Sequence, residues 1–209
     1  MVSTSRLDPR LERLVRLTVA LVLGNWEELG ELRRAAPEGE PDRSWREAVL
    51  QTHLFAGFPR LVEGCEVLHA AGGLGTPGED ELEAAGPVDS DGLAEAGRPL
   101  FDTIYGDGAA SVRERLGAHH PLLARWVAEH AYGRVLARVG LTARERELLA
   151  VGALVATAQD RQLASHARGA VRCGATANEV LAVAELVRPS IAKEAHDRAR
   201  GVLERFARS

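Results

Sequence analysis

Apolar residues recur at three- and four-residue spacing along most of the chain, and this spacing predicts helices rather than strands. Asp8 followed by Pro9 suits the start of a first helix, which carries its apolar positions to Gly24. A second helix is predicted over residues 26–36. The long helical pattern that follows is expected to break at Pro59, because proline interrupts helical hydrogen bonding. The pattern therefore predicts an all-α fold.

The strongest pattern spans residues 142–174 and predicts two helices folded back on each other. Thr142 and Glu145 have the spacing of a capping box, which marks a helix start. Apolar residues then recur to residue 155, the pattern breaks over 158–160, and it resumes until Gly174. Glycine suits the left-handed position after a helix. A helical hairpin is the expected structure.

Two polar residues lie on the apolar stripes of this hairpin. Glu147 shares a stripe with Val151 and Val155, so its carboxylate is expected to point inward. On the second helix, His166 lies on one stripe with Gln162 and Cys173 and is the only residue of that stripe that titrates near neutral pH. The positions along the two helices place Glu147 and His166 within bridging distance. Two structural alternatives remain: an ion pair of Glu147 with an arginine (Arg144, Arg161 or Arg168), or a core histidine bonded to a backbone carbonyl.

Composition narrows the function classes. Thirty acidic and 26 basic residues give a net charge of -4, and the arginines are scattered among acids, so a nucleic-acid partner is not expected. Cys65 and Cys173 are the only cysteines, and no Cys/His cluster has metal-ligand spacing. We regard the three histidines at positions 119, 120 and 130 as surface or packing residues. No apolar run is long enough for a bilayer, so we expect a cytoplasmic protein without a membrane partner.

The hairpin resembles a known enzyme superfamily. Glu147, Gln159, Gln162 and His166 have the spacing Glu-x(11)-Cys-x(2)-Cys-x(3)-His of the alkylhydroperoxidase D and carboxymuconolactone decarboxylase superfamily, with glutamine at both cysteine positions. The strings RELLAVGALV, QLASHARGA, IYG, HHPLL and AYGRVL are similar to its carboxymuconolactone decarboxylase branch. The resemblance implies an alkylhydroperoxidase-D-like helical fold and covers most of the chain outside a middle linker.

The resemblance also implies a function. We expect cofactor-free acid/base decarboxylation, or related lyase chemistry, on a small carboxylated lactone from aromatic-compound degradation. Glu147 and His166 would be the catalytic pair, and Gln162, His53 and Arg168 would bind the substrate. One alternative is a peroxidase, which the missing cysteine pair argues against; another is a non-catalytic helical oligomerisation or binding module. For His53 and Cys173 the alternative is packing, under the Gly57–Pro59 turn and in the core respectively.

The two halves of the sequence resemble each other. A shift of 134 positions places Leu14 on Leu148, Leu29 on Leu163 and Arg34 on Arg168 without a gap, which predicts a diverged tandem duplication. We predict a degenerate first repeat at 1–71, a Gly-, Pro- and acid-rich linker at 72–99, and a second repeat carrying the site at 100–209. Leu32 replaces His166 in the first repeat. The resemblance also implies a homotrimer, in which the three two-repeat chains would together form a pseudo-hexamer.

Overall fold

The structure is a computed structural model that describes residues 7–83 and 89–207, without the side chains of residues 82 and 83. Within these ranges it is helical and has no strand, which confirms the predicted all-α class. The α-helices are α1 (Pro9–Leu23), α2 (Trp26–Arg34), α3 (Asp42–Ala70), α4 (Glu79–Glu83), α5 (Ser90–Tyr105), α6 (Ala109–His119), α7 (Pro121–Trp126), α8 (Ala143–Ala156), α9 (Asp160–Arg172), α10 (Ala177–Val187) and α11 (Lys193–Phe206). Residues Val127–Leu136 form a π-helix, and Gly106–Gly108 and Arg188–Ser190 form short 3-10 turns.

The local signals read from the sequence place the helix ends well. The Asp8 side chain accepts a hydrogen bond from the Leu11 amide at 3.0 Å and caps α1. The Thr142 and Glu145 capping box forms at the start of α8. In α3 the helical backbone breaks at Gly57, two residues before Pro59, where φ is +77°. The helix is therefore interrupted near Pro59 as predicted. Gly57 takes the positive φ that this break requires, a conformation that residues with a side chain rarely adopt.

The segment predicted as a linker contains regular structure. Helix α5 begins at Ser90, inside that segment, and continues past it to Tyr105. Its buried positions, Leu93, Gly97, Phe101 and Ile104, share one face and pack on the π-helix and on α9. At Gly97 an added Cβ would lie 2.5 Å from the Gly133 backbone nitrogen, so the contact depends on glycine. The predicted boundary between linker and second repeat, after residue 99, therefore falls within α5 and divides this apolar face between Gly97 and Phe101.

Helices α1 and α8 form the centre of the main core. Residues 145–155 of α8 are all buried, and nine residues of α1 are buried, so both helices are surrounded by other helices. A smaller apolar cluster of Phe101, Ile104, Ala109, Tyr132 and Leu136 lies where α5 meets the π-helix. Across residues 7–83 and 89–207, no helix combines the length and apolar character that a bilayer crossing demands.

A buried charge network joins α3 to α8. Glu47, which is fully buried, accepts hydrogen bonds from Arg146 at 2.8 Å and from Arg138 at 2.8 Å. Gln51 exchanges hydrogen bonds with the Arg146 backbone and guanidinium at 2.8 and 3.2 Å. Burial lowers the pKa of Arg146, whereas Glu47 raises it and so opposes that effect. Removing one member would leave a buried charge unpaired, so the network fixes α3 against the site-bearing helix.

Helix positions support the tandem duplication, which stays a prediction. Ala143 of α8 lies 134 positions after Pro9 of α1, and Asp160 of α9 lies 134 positions after Trp26 of α2. The offset equals the one that aligns the two halves of the sequence. In both halves a central helix is therefore followed by a short turn and a second helix at the same register.

Candidate functional site

Glu147 and His166 meet inside the α8–α9 hairpin. The turn between the helices uses Ala158 at φ +56°, and the Gln159 amide closes it on the Leu154 carbonyl at 3.0 Å. The antiparallel arrangement brings Glu147 Oε2 to 3.0 Å from His166 Nδ1. The Glu147 side chain is 1% exposed and the His166 side chain 9% exposed. The predicted juxtaposition of carboxylate and imidazole is present.

The environment of His166 favours its charged form. Burial of the ring lowers the pKa of His166, but the negative charge of Glu147 and its hydrogen bond raise it by more, so the net shift is upward. An ionised carboxylate only accepts hydrogen bonds, so Nδ1 carries a proton whether the ring is neutral or charged. The proton that is gained or lost therefore belongs to Nε2. This geometry suits an imidazole that acts as an acid or a base.

Gly169 and Ile104 pack against the pair. A Cβ at Gly169 would lie 2.5 Å from Glu147 Oε2 and 2.8 Å from Ile104 Cγ2, so only glycine leaves room for the carboxylate at this position. Phe55 of α3 approaches His166 edge-on, with ring centroids 6.3 Å apart. The pair is thus enclosed by the C-terminal end of α5 and by α3.

Two tyrosines lie close enough to Glu147 to feel its charge. Burial raises the pKa of Tyr105, and the negative charge of Glu147 adds to the increase. Burial also raises the pKa of Tyr132 well above its usual value, with Tyr105 and Glu147 as further causes. Both hydroxyls are therefore protonated donors at neutral pH. Sequence reasoning gave them no role, although the strings IYG and AYGRVL that contain them carry part of the family resemblance.

The other predicted site residues do not gather at the pair. Gln162 is exposed on α9. His53 Nε2 lies 2.7 Å from His130 Nε2, and the His53 ring stacks on Phe58 with centroids 5.0 Å apart, so His53 packs at the Gly57 break as its alternative interpretation described. The Arg168 guanidinium lies over the Phe206 ring at 4.8 Å and lines a separate cavity.

The ion-pair alternative for Glu147 does not describe this geometry. Arg144 pairs with Glu179 instead, and no arginine among the described residues forms an ion pair with Glu147. His166 likewise bonds a carboxylate rather than a backbone carbonyl. Cys173 is half-buried, and burial together with the Glu147 charge raises its pKa to about 11. A thiol of that pKa is poorly suited to attack at neutral pH.

Two cavities flank the smaller apolar cluster. One of about 250 Å³ is mainly apolar and is lined by Phe101, Leu116, Val127 and Tyr132, with Arg113 among its polar residues. The other, of about 170 Å³, is polar and is lined by residues of α5, α6 and α9. Neither is lined by Glu147 or His166, but Tyr132 lines the first and Tyr105 the second. Across the described residues, no group of three or more His, Cys, Asp or Glu side chains is placed to hold a metal ion.

A comparison with known protein families finds a match that includes this hairpin. Residues 121–205 match the carboxymuconolactone decarboxylase family, and this match contains α8, α9 and both members of the pair. This part of the chain is therefore similar to that family.

A related protein extends the similarity beyond the family match. The chain is 28% identical over 160 residues to the protein named Peroxisomal protein 2 of Schizosaccharomyces pombe, and the alignment covers 76% of this chain and 73% of the relative. An alignment of that length is longer than the matched region 121–205, so the likeness includes residues outside it.

Proposed function

We propose that the chain catalyses proton transfer at the Glu147–His166 pair during decarboxylation, or a related lyase reaction, of a small carboxylated lactone. The observation that carries the proposal is the buried 3.0 Å contact between Glu147 Oε2 and His166 Nδ1. It fixes the imidazole tautomer and favours the protonated ring. The match of residues 121–205 to the carboxymuconolactone decarboxylase family supports the substrate class.

The chemistry assigns one role to each member of the pair. When the bond between the ring carbon and the carboxylate breaks, carbon dioxide leaves and its bonding electrons stay on the carbon. The Nε2–H of protonated His166 then donates a proton to that carbon, and Glu147 holds the ring through Nδ1 as its charge changes. Solvent returns the proton to Nε2. The tyrosines Tyr105 and Tyr132 remain neutral and supply hydrogen bonds rather than charge.

A peroxidase reaction is less compatible with these residues. Glutamine stands at positions 159 and 162, where the peroxidase signature has cysteines, and amides have no redox chemistry. Cys173 is the remaining thiol near the pair, and its pKa of about 11 leaves it protonated at neutral pH. Consumption of peroxide with a thiol reductant should stay at the background rate.

The test is release of carbon dioxide from carboxymuconolactone by purified protein. Wild type should turn over, whereas Glu147→Gln and His166→Asn should each lose about 100-fold or more, as expected for a general acid and its orienting partner. Arg161→Gln is the matched control because this exposed residue lies on the same helix and has no predicted role in catalysis or substrate binding. Equal turnover by wild type and both pair variants would refute the assignment of the pair.

A non-catalytic oligomerisation module is the second candidate. Large apolar side chains are exposed at Phe58 (62%), Val62 (57%) and Trp126 (61%), which suits a surface covered by another chain. We propose that the chain forms a homotrimer whether or not it is catalytic. Size-exclusion chromatography with light scattering should give three times the chain mass of 22.5 kDa. A trimer that lacks turnover in every assay would favour this candidate.

A further inference from the structure

The polar cavity between α5, α6 and α9 has an unusual lining. Its volume is about 170 Å³, and its charged residues are Arg115, Arg168 and Arg172, with no acidic residue among those that line it. Ser111 and Ser165 add hydroxyl groups. The cavity also reaches Gly108, the N-cap of α6, where no side chain caps the helix.

These three arginines lack the partners that most arginines of this protein have. Elsewhere, arginines pair with carboxylates across helices, for example Arg33 with Asp42 at 2.6 Å and Arg198 with Asp160 at 2.7 Å. In contrast, Arg115, Arg168 and Arg172 form no ion pair with any carboxylate within residues 7–83 and 89–207. Three positive side chains, of which Arg115 and Arg172 are exposed to solvent, therefore line one cavity with no acidic partner, so their charge is available to an anion.

Two of the guanidinium groups are held in position by neutral partners. Arg172 Nη1 donates a hydrogen bond to the Ile104 carbonyl at 2.8 Å. It also lies against Gly106, where an added Cβ would approach Arg172 Cζ to 2.9 Å. The Arg168 guanidinium stacks over Phe206 at 4.8 Å. Neutral partners restrict the side chains and leave their charge available, so little ordering is needed when an anion binds.

We propose that this cavity binds a small oxyanion of two charges, either a dicarboxylate or a phosphate group. Guanidinium groups suit both because each presents two parallel N–H donors to a pair of oxygens. The volume of about 170 Å³ is large enough for an anion of this size. Ser111 and Ser165 would donate to oxygens that the arginines leave unpaired.

The site lies beside the Glu147–His166 pair without including it. Ser165 precedes His166 in α9, and Ile104, which lines the cavity, also packs at Gly169 beside the Glu147 carboxylate. The proposal concerns binding alone, so it stands or fails independently of proton transfer at the pair.

Isothermal titration calorimetry on the full chain tests the proposal, with inorganic phosphate in one arm and succinate in the other at constant pH and ionic strength. Saturable binding of one or both dianions is expected. Binding of phosphate alone would identify a phosphate group as the ligand, and binding of succinate alone would identify a dicarboxylate. Arg115→Gln and Arg168→Gln should each weaken binding about tenfold, because each loses a hydrogen bond between charged groups. Arg161→Gln, an exposed arginine of α9 outside the cavity, is the matched control and should change affinity less than about twofold.

Three results would overturn the proposal. The first is absence of saturable binding in both arms. The second is an equal loss of affinity in Arg161→Gln and Arg115→Gln, which would indicate attraction to net charge rather than a site. The third is unchanged affinity in both cavity variants. Circular dichroism of each variant establishes that it folds, and since Arg115 is exposed its substitution disturbs no core packing.

Discussion

Gly169→Ala tests how tightly the structure holds the Glu147 carboxylate. The new methyl group would lie 2.5 Å from Glu147 Oε2 and 2.8 Å from Ile104 Cγ2. An ordinary contact needs about 3.5 Å, so the carboxylate must move by about 1 Å. That movement weakens or breaks its 3.0 Å contact with His166 Nδ1. The substitution therefore disturbs the pair without removing either of its members.

The size of the effect follows from two costs. Overpacking a close-packed site costs about 1 to 3 kcal/mol. Loss of a hydrogen bond to a charged group costs about 1.5 to 3 kcal/mol. The two costs share one displacement and do not add fully, so we expect the free energy of unfolding to fall by about 2 to 4 kcal/mol. The pKa of His166 should fall as well, because burial then acts without its partner.

Urea denaturation followed by circular dichroism measures the stability change, and an NMR titration of the His166 ring measures its pKa. Gly201→Ala in α11 is the matched control, since a Cβ there meets nothing within 4 Å. In that helix position alanine should stabilise by up to about 1 kcal/mol. If Gly169→Ala loses less than about 0.5 kcal/mol and leaves the pKa of His166 unchanged, the packing argument is wrong.

Three further predictions follow from the buried groups. Protonated His166 should stabilise the fold fully below its unfolded pKa of about 6.5, and this stabilisation should be lost as pH rises through the raised folded pKa. The difference in unfolding free energy between wild type and His166→Asn, determined across pH, measures it. Glu47→Gln should cost about 3 to 5 kcal/mol in urea denaturation, because Arg138 and Arg146 lose their buried partner. Alkylation of Cys173 by iodoacetamide, followed by mass spectrometry, should be slow at pH 7 and should accelerate as pH approaches about 11.

Each of these predictions has an outcome that contradicts it. A stability difference between wild type and His166→Asn that grows with rising pH would reverse the sign expected for a raised histidine pKa. Substituting Glu47 and Arg146 together by leucine should cost less than Glu47→Gln alone; a larger cost would show that shape rather than charge pairing matters there. Fast alkylation of Cys173 at pH 7 would mean that its thiol is ionised.

Local signals in the sequence predicted the fold well. The Asp8 cap, the Thr142 capping box and the proline near Gly57 each act within a few residues, so the sequence contains the whole signal. The Glu147–His166 pair was also predictable, because two helical stripes joined by a short turn leave few relative positions.

Features that depend on distant segments were not predictable in the same way. The role of Arg146 depends on Glu47, which lies 99 positions away, and a charge within an RERE string is normally a solvated surface residue. Arg115 and Arg172 meet at the cavity only because α5 and α6 fold over α9. Residues 90–99 of α5 were assigned to a linker because a glycine, Gly97, rather than a large apolar residue forms part of the contact face there.

The pH dependence of carboxymuconolactone decarboxylation tests the central claim most directly. The rate should fall as pH rises through the raised pKa of His166, since the deprotonated ring has no proton to donate. In Glu147→Gln the remaining activity should fall at a lower pH, because the charge that raises this pKa is gone. Absence of turnover in wild type, or a descending limb at the same pH in both proteins, would contradict the account.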